Sequence, residues 1–524
     1  MTPGAERTPI DRYTDIGELT GRVRLAIRRA LLPTVAVLGI ESAYLGIAGR
    51  PGAAAFALVA VGTIIALGLW GRRAVGLPLL PVIVVQNLII YGAPIAAGHE
   101  TITSYPPDFV LRAGREVLIF DLALALAWLG GMKFFRPSPP ISHVLHRFSR
   151  AGARGWLRLG FTLIVAATGF YALQGLNLLG ALYAMLPGGS DSIVYALLSV
   201  ISACGFFLVS MTIGGNQASA AAKGAFWLLL IANAMMSASD FLLSAAAANL
   251  ITVAIGFFWS RGRLPWRYLA IALLSLSFLN LGKATMRARY WGNADTPGAA
   301  RTFGQLPACY AEWIEVSYHA LLENSSTRDK ASDAPEVQAN KNQTLLDRID
   351  NLQNLLFVID AIETDHIKPL DGKTYALIPP LLVPRVLWPD KPRSHEGQIL
   401  LNVHFGRQDL ESTLTTYIAW GLLPEAYGNF GAVTGSLGLG IFLGLLFAWI
   451  ENLTARKLLV SMEGFLCLSL LINLVNSFEM VASVLVTSIF QSFVVILAAS
   501  LPFVHREAKP RPPPEDLEGD ASTA

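Results

Sequence analysis

The fold class this sequence predicts is an all-α polytopic integral membrane protein, with about 12 transmembrane helices and one large, partly helical extracytoplasmic loop. Three observations predict it. Of 524 residues, 53% are hydrophobic and only 15% charged, with a mean hydropathy of +0.49, which excludes an ordinary soluble enzyme and a disordered chain alike. The apolar residues gather in runs of the about 20 residues needed to cross about 30 Å of hydrocarbon. Lys and Arg concentrate in alternate connections between those runs, the bias that sets orientation in a membrane.

The runs lie at 30–48, 53–70, 75–96, 116–132, 159–175, 193–213, 225–240, 243–259, 267–282, 430–450, 460–480 and 482–502. The seventh and eighth are almost continuous, and Ser237, Ser239 and Asp240 are read as a tight turn between them. Arg22, Arg24, Arg28 and Arg29 precede the first run, and Arg72 and Arg73 follow the second. Arg147, Arg150, Arg154 and Arg158 follow the fourth, Arg261, Arg263 and Arg267 the eighth, Arg456 and Lys457 the tenth, and Arg506 and Lys509 the twelfth. All fall on one side if both termini are cytoplasmic. The first run has the basic flank of a signal peptide but no small-residue cleavage site, so it is expected to stay as an anchor. The chain then divides into residues 1–282 with about nine spans, 283–429 as the outer loop and a reentrant segment, 430–503 with about three spans, and 504–524 as a disordered cytoplasmic tail.

From Lys283 to Glu411 there is no apolar run, and 14 Lys and Arg with 17 Asp and Glu mark this segment as water-facing. Such length predicts that it folds against the membrane surface. Leu345, Ile349, Leu352, Leu356, Ile359 and Ile362 recur at helical spacing, a second helix is expected at Leu306–Leu322, and Glu323–Asn342 reads as a flexible turn. The formal net charge of +3, 40 basic against 37 acidic residues, excludes nucleic acid as a partner. Cys204 and Cys467 lie in apolar runs and Cys309 in a polar one, so neither a disulfide framework nor a thiolate metal cage is expected. No cofactor is called for.

The most distinctive run is Leu381-Leu382-Val383-Pro384-Arg385-Val386-Leu387-Trp388-Pro389-Asp390-Lys391-Pro392. Its prolines rule out a helix and hold Arg385 and Lys391 on a rigid path that Trp388 anchors at the interface. Two cations so held either grip an anion such as a phosphate or meet lipid headgroups, with Lys391 paired to Asp390. Gly421 to Gly431 follows, with Pro424, Glu425, Asn429 and Phe430, where glycine and proline allow close approach or a reentrant turn. Glu425, beside the membrane, is costly unless solvated or paired, a candidate base or ion-pair partner. Gly435, Gly438, Gly440 and Gly444 read as a helix-packing face. Lys283, Arg287 and Arg289 cluster where the ninth span exits, and Arg348 lies between Asp347 and Asp350. His366, His395 and His404 form no ligand set.

These residues resemble the Wzy-type O-antigen and oligosaccharide repeat-unit polymerases. The likeness rests on Pro384-Arg385, Trp388-Pro389, Lys391-Pro392, Glu425 and Asn429-Phe430-Gly431 in and after one large loop, and it is strongest from Lys283 to Gly444. The resemblance implies a glycosyltransferase of the bacterial inner membrane, with the large loop outside. It would move a growing glycan from a polyprenyl-diphosphate donor onto a lipid-linked repeat unit, without metal and with inversion. Its partners would be both lipid-linked glycans, membrane lipid and a chain-length regulator. Arg287, Arg348, Arg385 and Lys391 would bind diphosphate. Arg385, Arg348 and Glu425 would be catalytic, with Asp360 and Glu363 the next candidate bases, and Lys283, Trp388 and Asn429 would support them.

Two other enzyme and carrier plans share this architecture. A ligase that joins finished glycan to lipid uses the same donor, and a transporter of lipid-linked oligosaccharide has a similar number of spans. The transporter plan predicts internal repeats and ionisable residues at the midplane. The halves show no self-similarity, and Asp121 and Asp240 lie near the ends of their apolar runs.

Overall fold

The chain folds almost entirely as helices, seen in a computed structural model. It describes residues 15–506 except 138–142, 146–151, 176–190, 240, 242, 294–295, 298–302, 328–344, 384–386, 389, 415–417, 456, 460, 476, 478–479 and 501–503. The helices in the first half are α1 Ile16–Ile47, α2 Ala53–Arg73, α3 Leu79–Ala97, α4 Pro107–Phe134, α5 Gly152–Gly175, α6 Asp191–Gly214, α7 Ala220–Ser237, α8 Leu243–Arg261 and α9 Trp266–Trp291. The charged segment contributes α10 Leu306–Thr327, α11 Leu345–Ile349, α12 Leu352–Glu363, α13 Lys373–Ala376, α14 Ile378–Leu382, α15 Glu396–His404 and α16 Leu422–Phe430. Last come α17 Thr434–Thr454, α18 Met462–Val475 and α19 Ala482–Ser500.

Among the described residues, nine helices are long and apolar enough to cross a membrane: α1 to α7, α9 and α17. Their outward faces are apolar too. On α1, Leu32, Ile40 and Ile47 are 79%, 69% and 90% exposed, a surface that only a hydrocarbon solvent suits. Inside, polar side chains join helices: Asn249 donates to Asn233 (2.7 Å), which donates to Thr168 (3.0 Å), the kind of interhelical bond that substitutes for a hydrophobic drive in lipid.

Helix ends sort into two layers. In the first, Ile16 N–H donates to Lys457 O, Arg22 Nη1 to Trp259 O and Ser260 O (3.3 Å each), and Arg261 Nε to Gly214 O (3.2 Å). Strand β1, His143–Leu145, also pairs antiparallel with strand β2, Val504–Arg506. The tail assigned to 504–524 therefore begins as an ordered strand, because residues 143–145 offer it a ladder; residues 507–524 lie outside the described ones. In the second layer the charged segment meets the ends of α3 and α4. Of the basic connections, Arg22, Arg261 and Lys457 belong to the first layer.

Several expected elements take different forms. The amphipathic stripe is two helices, because Asp350 Oδ1 accepts from Gln353 N (3.2 Å) and Asn351 N donates to Ile90 O (3.1 Å), which opens the chain between α11 and α12. Leu352, Leu356 and Ile359 are fully buried there. Residues 323–327, expected in a turn, continue α10. Gly421–Gly431 is a nine-residue helix, not a reentrant turn; Gly421 (φ 94°) and Gly431 (φ 74°) supply the left-handed ends that isolate it. Asp121 lies in the middle of its helix, since Pro107 starts α4 well before the apolar run begins. Of the glycine face, Gly440 and Gly444 let α17 approach α4, and Gly435 lies against the carbonyl of Ala426, where an added Cβ would meet oxygen at 2.4 Å; Gly438 faces open space.

Candidate functional site

The second layer is built on a buried carboxylate. Glu425 on α16 is wholly shielded. Its Oε1 accepts from Thr374 Oγ1 (2.7 Å) and its Oε2 from Ala482 N (2.5 Å), the first residue of α19. Asn429, one turn on, donates through Nδ2 to Thr374 Oγ1 (2.8 Å) and to Glu425 O (2.8 Å). Burial lifts the Glu425 carboxyl to about 7, against the Ala482 and Thr374 bonds that lower it. Tyr375, stacked on Phe430 at 5.6 Å, is close enough for that carboxylate to help push its phenol upward, after burial.

Thr374 begins the path to the cationic run. Helix α13 passes into α14, and both pack against α19. Beyond α14, Lys391 Nζ donates to Leu381 O (2.7 Å) and Val383 O (2.6 Å). The ammonium thus holds the carbonyls at the end of α14 and just beyond it. Trp388 is 43% exposed. Pro384, Arg385 and Pro389 lie outside the described residues, and Arg348 sits on α11 with its side chain likewise outside them.

Lys283 and Arg287 are elsewhere. Both lie on α9 against α10, where Lys283 Nζ donates to Asn280 Oδ1 (2.9 Å) and the Arg287 guanidinium donates to Phe241 O (3.0 and 3.2 Å) over the Trp291 ring. That group packs around Phe241, Tyr310 and Trp313 rather than around Glu425. The turn between α7 and α8 has Phe241 at φ 57°; Asp240 is outside the described residues.

Asp360 is half-buried and accepts from Thr364 Oγ1 (2.7 Å), and Glu363 pairs with Arg112 and accepts from Tyr427 (3.5 Å). His395 shares a proton with Gln398 Oε1 (2.7 Å) and His404 reaches Lys368 O (2.7 Å); His366 holds a left-handed backbone (φ 56°).

Sequence reasoning missed four residues here. Arg407 lies over Phe357 and Trp420, at 5.1 and 6.0 Å, and donates to Asn354 Oδ1 (2.6 Å). Burial lowers its pKa, and the nearby Tyr105, itself influenced by Asp360, opposes this. His99 pairs with Asp347 and with Asp350 (3.2 Å), and Thr101 Oγ1 donates to Asp350 Oδ2 (2.7 Å). Glu116 accepts from Val433 N (3.0 Å) and Ser436 Oγ (2.7 Å). Only Glu116 carried a sequence signal, as an acid at the start of an apolar run.

Beneath Asn351, Leu422 and Leu423 lies a cavity of about 30 Å³, also lined by Asn87 and Tyr91. A catalytic role for the large loop predicts that it lies across a lipid-accessible cavity between the helices, and a loop remote from any cavity counts heavily against that role. The large cavity, about 930 Å³, lies between α7, α8 and α9, and among the described residues of the loop Tyr310 alone lines it. No protein-family model, curated protein or solved structure matches this chain.

Proposed function

We propose that this membrane protein is a glycosyltransferase that polymerises lipid-linked glycan repeat units at the layer holding Glu425, the outer face of a bacterial inner membrane. One observation carries the reading: Glu425 bonds to the first residue of α19, and α14, the last helix before the cationic run, packs against that same helix. The bond from the anomeric carbon of the growing glycan to the donor diphosphate breaks, and that carbon bonds to an acceptor sugar hydroxyl. The hydroxyl proton goes to Glu425, and the diphosphate leaves on its polyprenol. Arg385 and Arg348 stabilise the leaving charge, while Lys391 bonds to the carbonyls of Leu381 and Val383. A carboxyl poised near 7 suits a general base at neutral pH. Because Glu425 is buried, the acceptor reaches it only when the packing around it opens.

The test is reconstitution of the purified protein with polyprenyl-diphosphate-linked repeat units and sizing of the products. A ladder is expected that Arg385→Ala abolishes and Glu425→Gln slows by about 10²- to 10⁴-fold. If Asp360→Asn removes the ladder and Glu425→Gln does not, Asp360 is the base. No ladder with folded protein and competent substrate refutes the polymerase reading.

A second reading, transport of the lipid-linked oligosaccharide, has its own observation. Asp121 is fully buried in the middle of α4, beside the π-helical turn Leu88–Gly92 of α3. Asn87 donates to its Oδ1 (2.7 Å), while its Oδ2 is buried with no hydrogen-bond partner among the described residues. Intramembrane carboxylates of this kind carry protons or cations in transporters. Translocation of a fluorescent lipid-linked glycan across vesicles, lost in Asp121→Asn, would favour it over the polymerase.

A further inference from the structure

The cavity between α7, α8 and α9 belongs to neither reading. We propose that it binds one anionic diacyl phospholipid, with the headgroup at the end that carries Lys223, Arg261 and Arg267. At about 930 Å³ the cavity is near the top of the about 300–1,000 Å³ range of small-molecule sites. On α8 it extends from Arg261 to Leu243, about 27 Å at about 1.5 Å per residue, deep enough to take an extended acyl chain.

Charge selects the occupant. All three cations in the lining sit at one end, in the layer that holds Arg22 and Lys457, and among the described residues none of the lining is acidic. Trp266, 71% exposed, stands at the same end, where indoles mark the headgroup level. The rest of the wall is almost wholly apolar, including Leu230, Met235 and Leu250. A water-soluble anion would leave that wall empty, and a neutral lipid would leave the cations without a counter-charge.

The wall is preformed. Tyr268 OH donates to Leu250 O (2.9 Å), tying α9 to α8. Trp227 stacks on Phe257 at 6.1 Å, and Arg261 lies over Phe257 at 5.2 Å with its Nε held by Gly214 O. Lys223 Nζ is steadied by Asn216 Oδ1 at 3.2 Å. A lipid therefore finds two positioned cations and a shaped slot, without ordering either.

The full-length protein in neutral detergent is exposed to equal amounts of phosphatidylglycerol and phosphatidylcholine, and retained lipid is read by native mass spectrometry. One phosphatidylglycerol per chain is expected, and retention falls about fivefold for each cation removed in Arg261→Gln and Arg267→Gln. Ser275→Trp, which fills the slot from an exposed position of α9, abolishes retention; Arg263→Gln, outside the lining, leaves it unchanged. Equal retention of the two lipids overturns the proposal. So does loss in Ser275→Trp without loss in the arginine variants, which would mark a neutral apolar occupant, or displacement of phosphatidylglycerol by an equimolar polyprenyl phosphate. None of these readouts depends on glycosyl transfer.

Discussion

Two buried glutamates, Glu451 in the first layer and Glu425 in the second, do the same mechanical job with different partners. Glu451 takes Val75 N (2.8 Å) and Gly76 N (3.3 Å) on Oε1, and the indole N–H groups of Trp128 (2.7 Å) and Trp70 (3.2 Å) on Oε2. All four can only donate, so they demand an acceptor on both oxygens. Glu425 faces one backbone N–H and one threonine hydroxyl. The hydroxyl can turn from donor to acceptor, so this site accommodates a carboxylate or a carboxylic acid. One glutamate is a fixed rivet; the other has the freedom a proton acceptor needs.

The largest effect should come from removing the rivet. Glu451→Ala leaves four buried donors without an acceptor and should cost about 3–5 kcal/mol, read as thermal unfolding in detergent. Glu451→Gln should be nearly as harmful, because an amide N–H₂ then confronts other donors. Glu425→Gln, by contrast, can accept from Ala482 and donate to Thr374, and at about pH 4.5, where Glu425 is protonated, its unfolding should lie within about 1 kcal/mol of wild type. Equal damage from the two glutamine variants would erase the distinction.

Acid tests the same contrast. The Glu425 carboxyl titrates near 7 in the folded chain and at 4.5 when exposed, so between those values the folded state holds more protons. Its contribution to stability is complete below about 4.5, declines as pH rises, and is lost by about 7, a span worth roughly 3 kcal/mol. Glu425→Gln should flatten that slope, and glycosyl transfer should rise as pH passes 7. Thr374→Val removes the hydroxyl that serves both Glu425 and Asn429 and should cost about 1–2 kcal/mol. Last comes Arg112→Gln: Arg112 and Glu363 are 40% and 26% exposed, and an ion pair in that setting contributes at most about 1 kcal/mol.

The nine described helices long and apolar enough to cross a membrane were legible because about 20 consecutive apolar residues leave the backbone few other ways to satisfy itself in lipid. Helices α10 and α12 were legible from spacing. Glu425 and Asn429 stood out because their neighbours do, yet Thr374, the residue that joins them, sits in an ordinary Gly-Lys-Thr-Tyr stretch. Glu451 was invisible for a different reason: its partners are more than 300 residues away in the chain, and an acid at the foot of an apolar run looks like an ordinary interfacial residue until they are seen. Arg407 reads as a loop cation, since nothing local shows that Phe357 and Trp420 will bracket it. The break at Asp350 and Asn351 was hidden too, because it depends on Ile90 and Thr101 rather than on the helix itself.

The bond from Trp128 to Glu451 spans 323 residues, and that separation has a meaning for biosynthesis. At about 5–20 residues per second, a ribosome delivers α17 roughly 15–65 seconds after α4. Throughout that interval the α4 surface that will receive Gly440 and Gly444, with Glu116 and Trp128 on it, is complete but vacant. The protein's most intimate helix pair is therefore among the last to be made, and an insertion factor able to shield a half-finished polar seam would have its greatest influence on this chain in that interval.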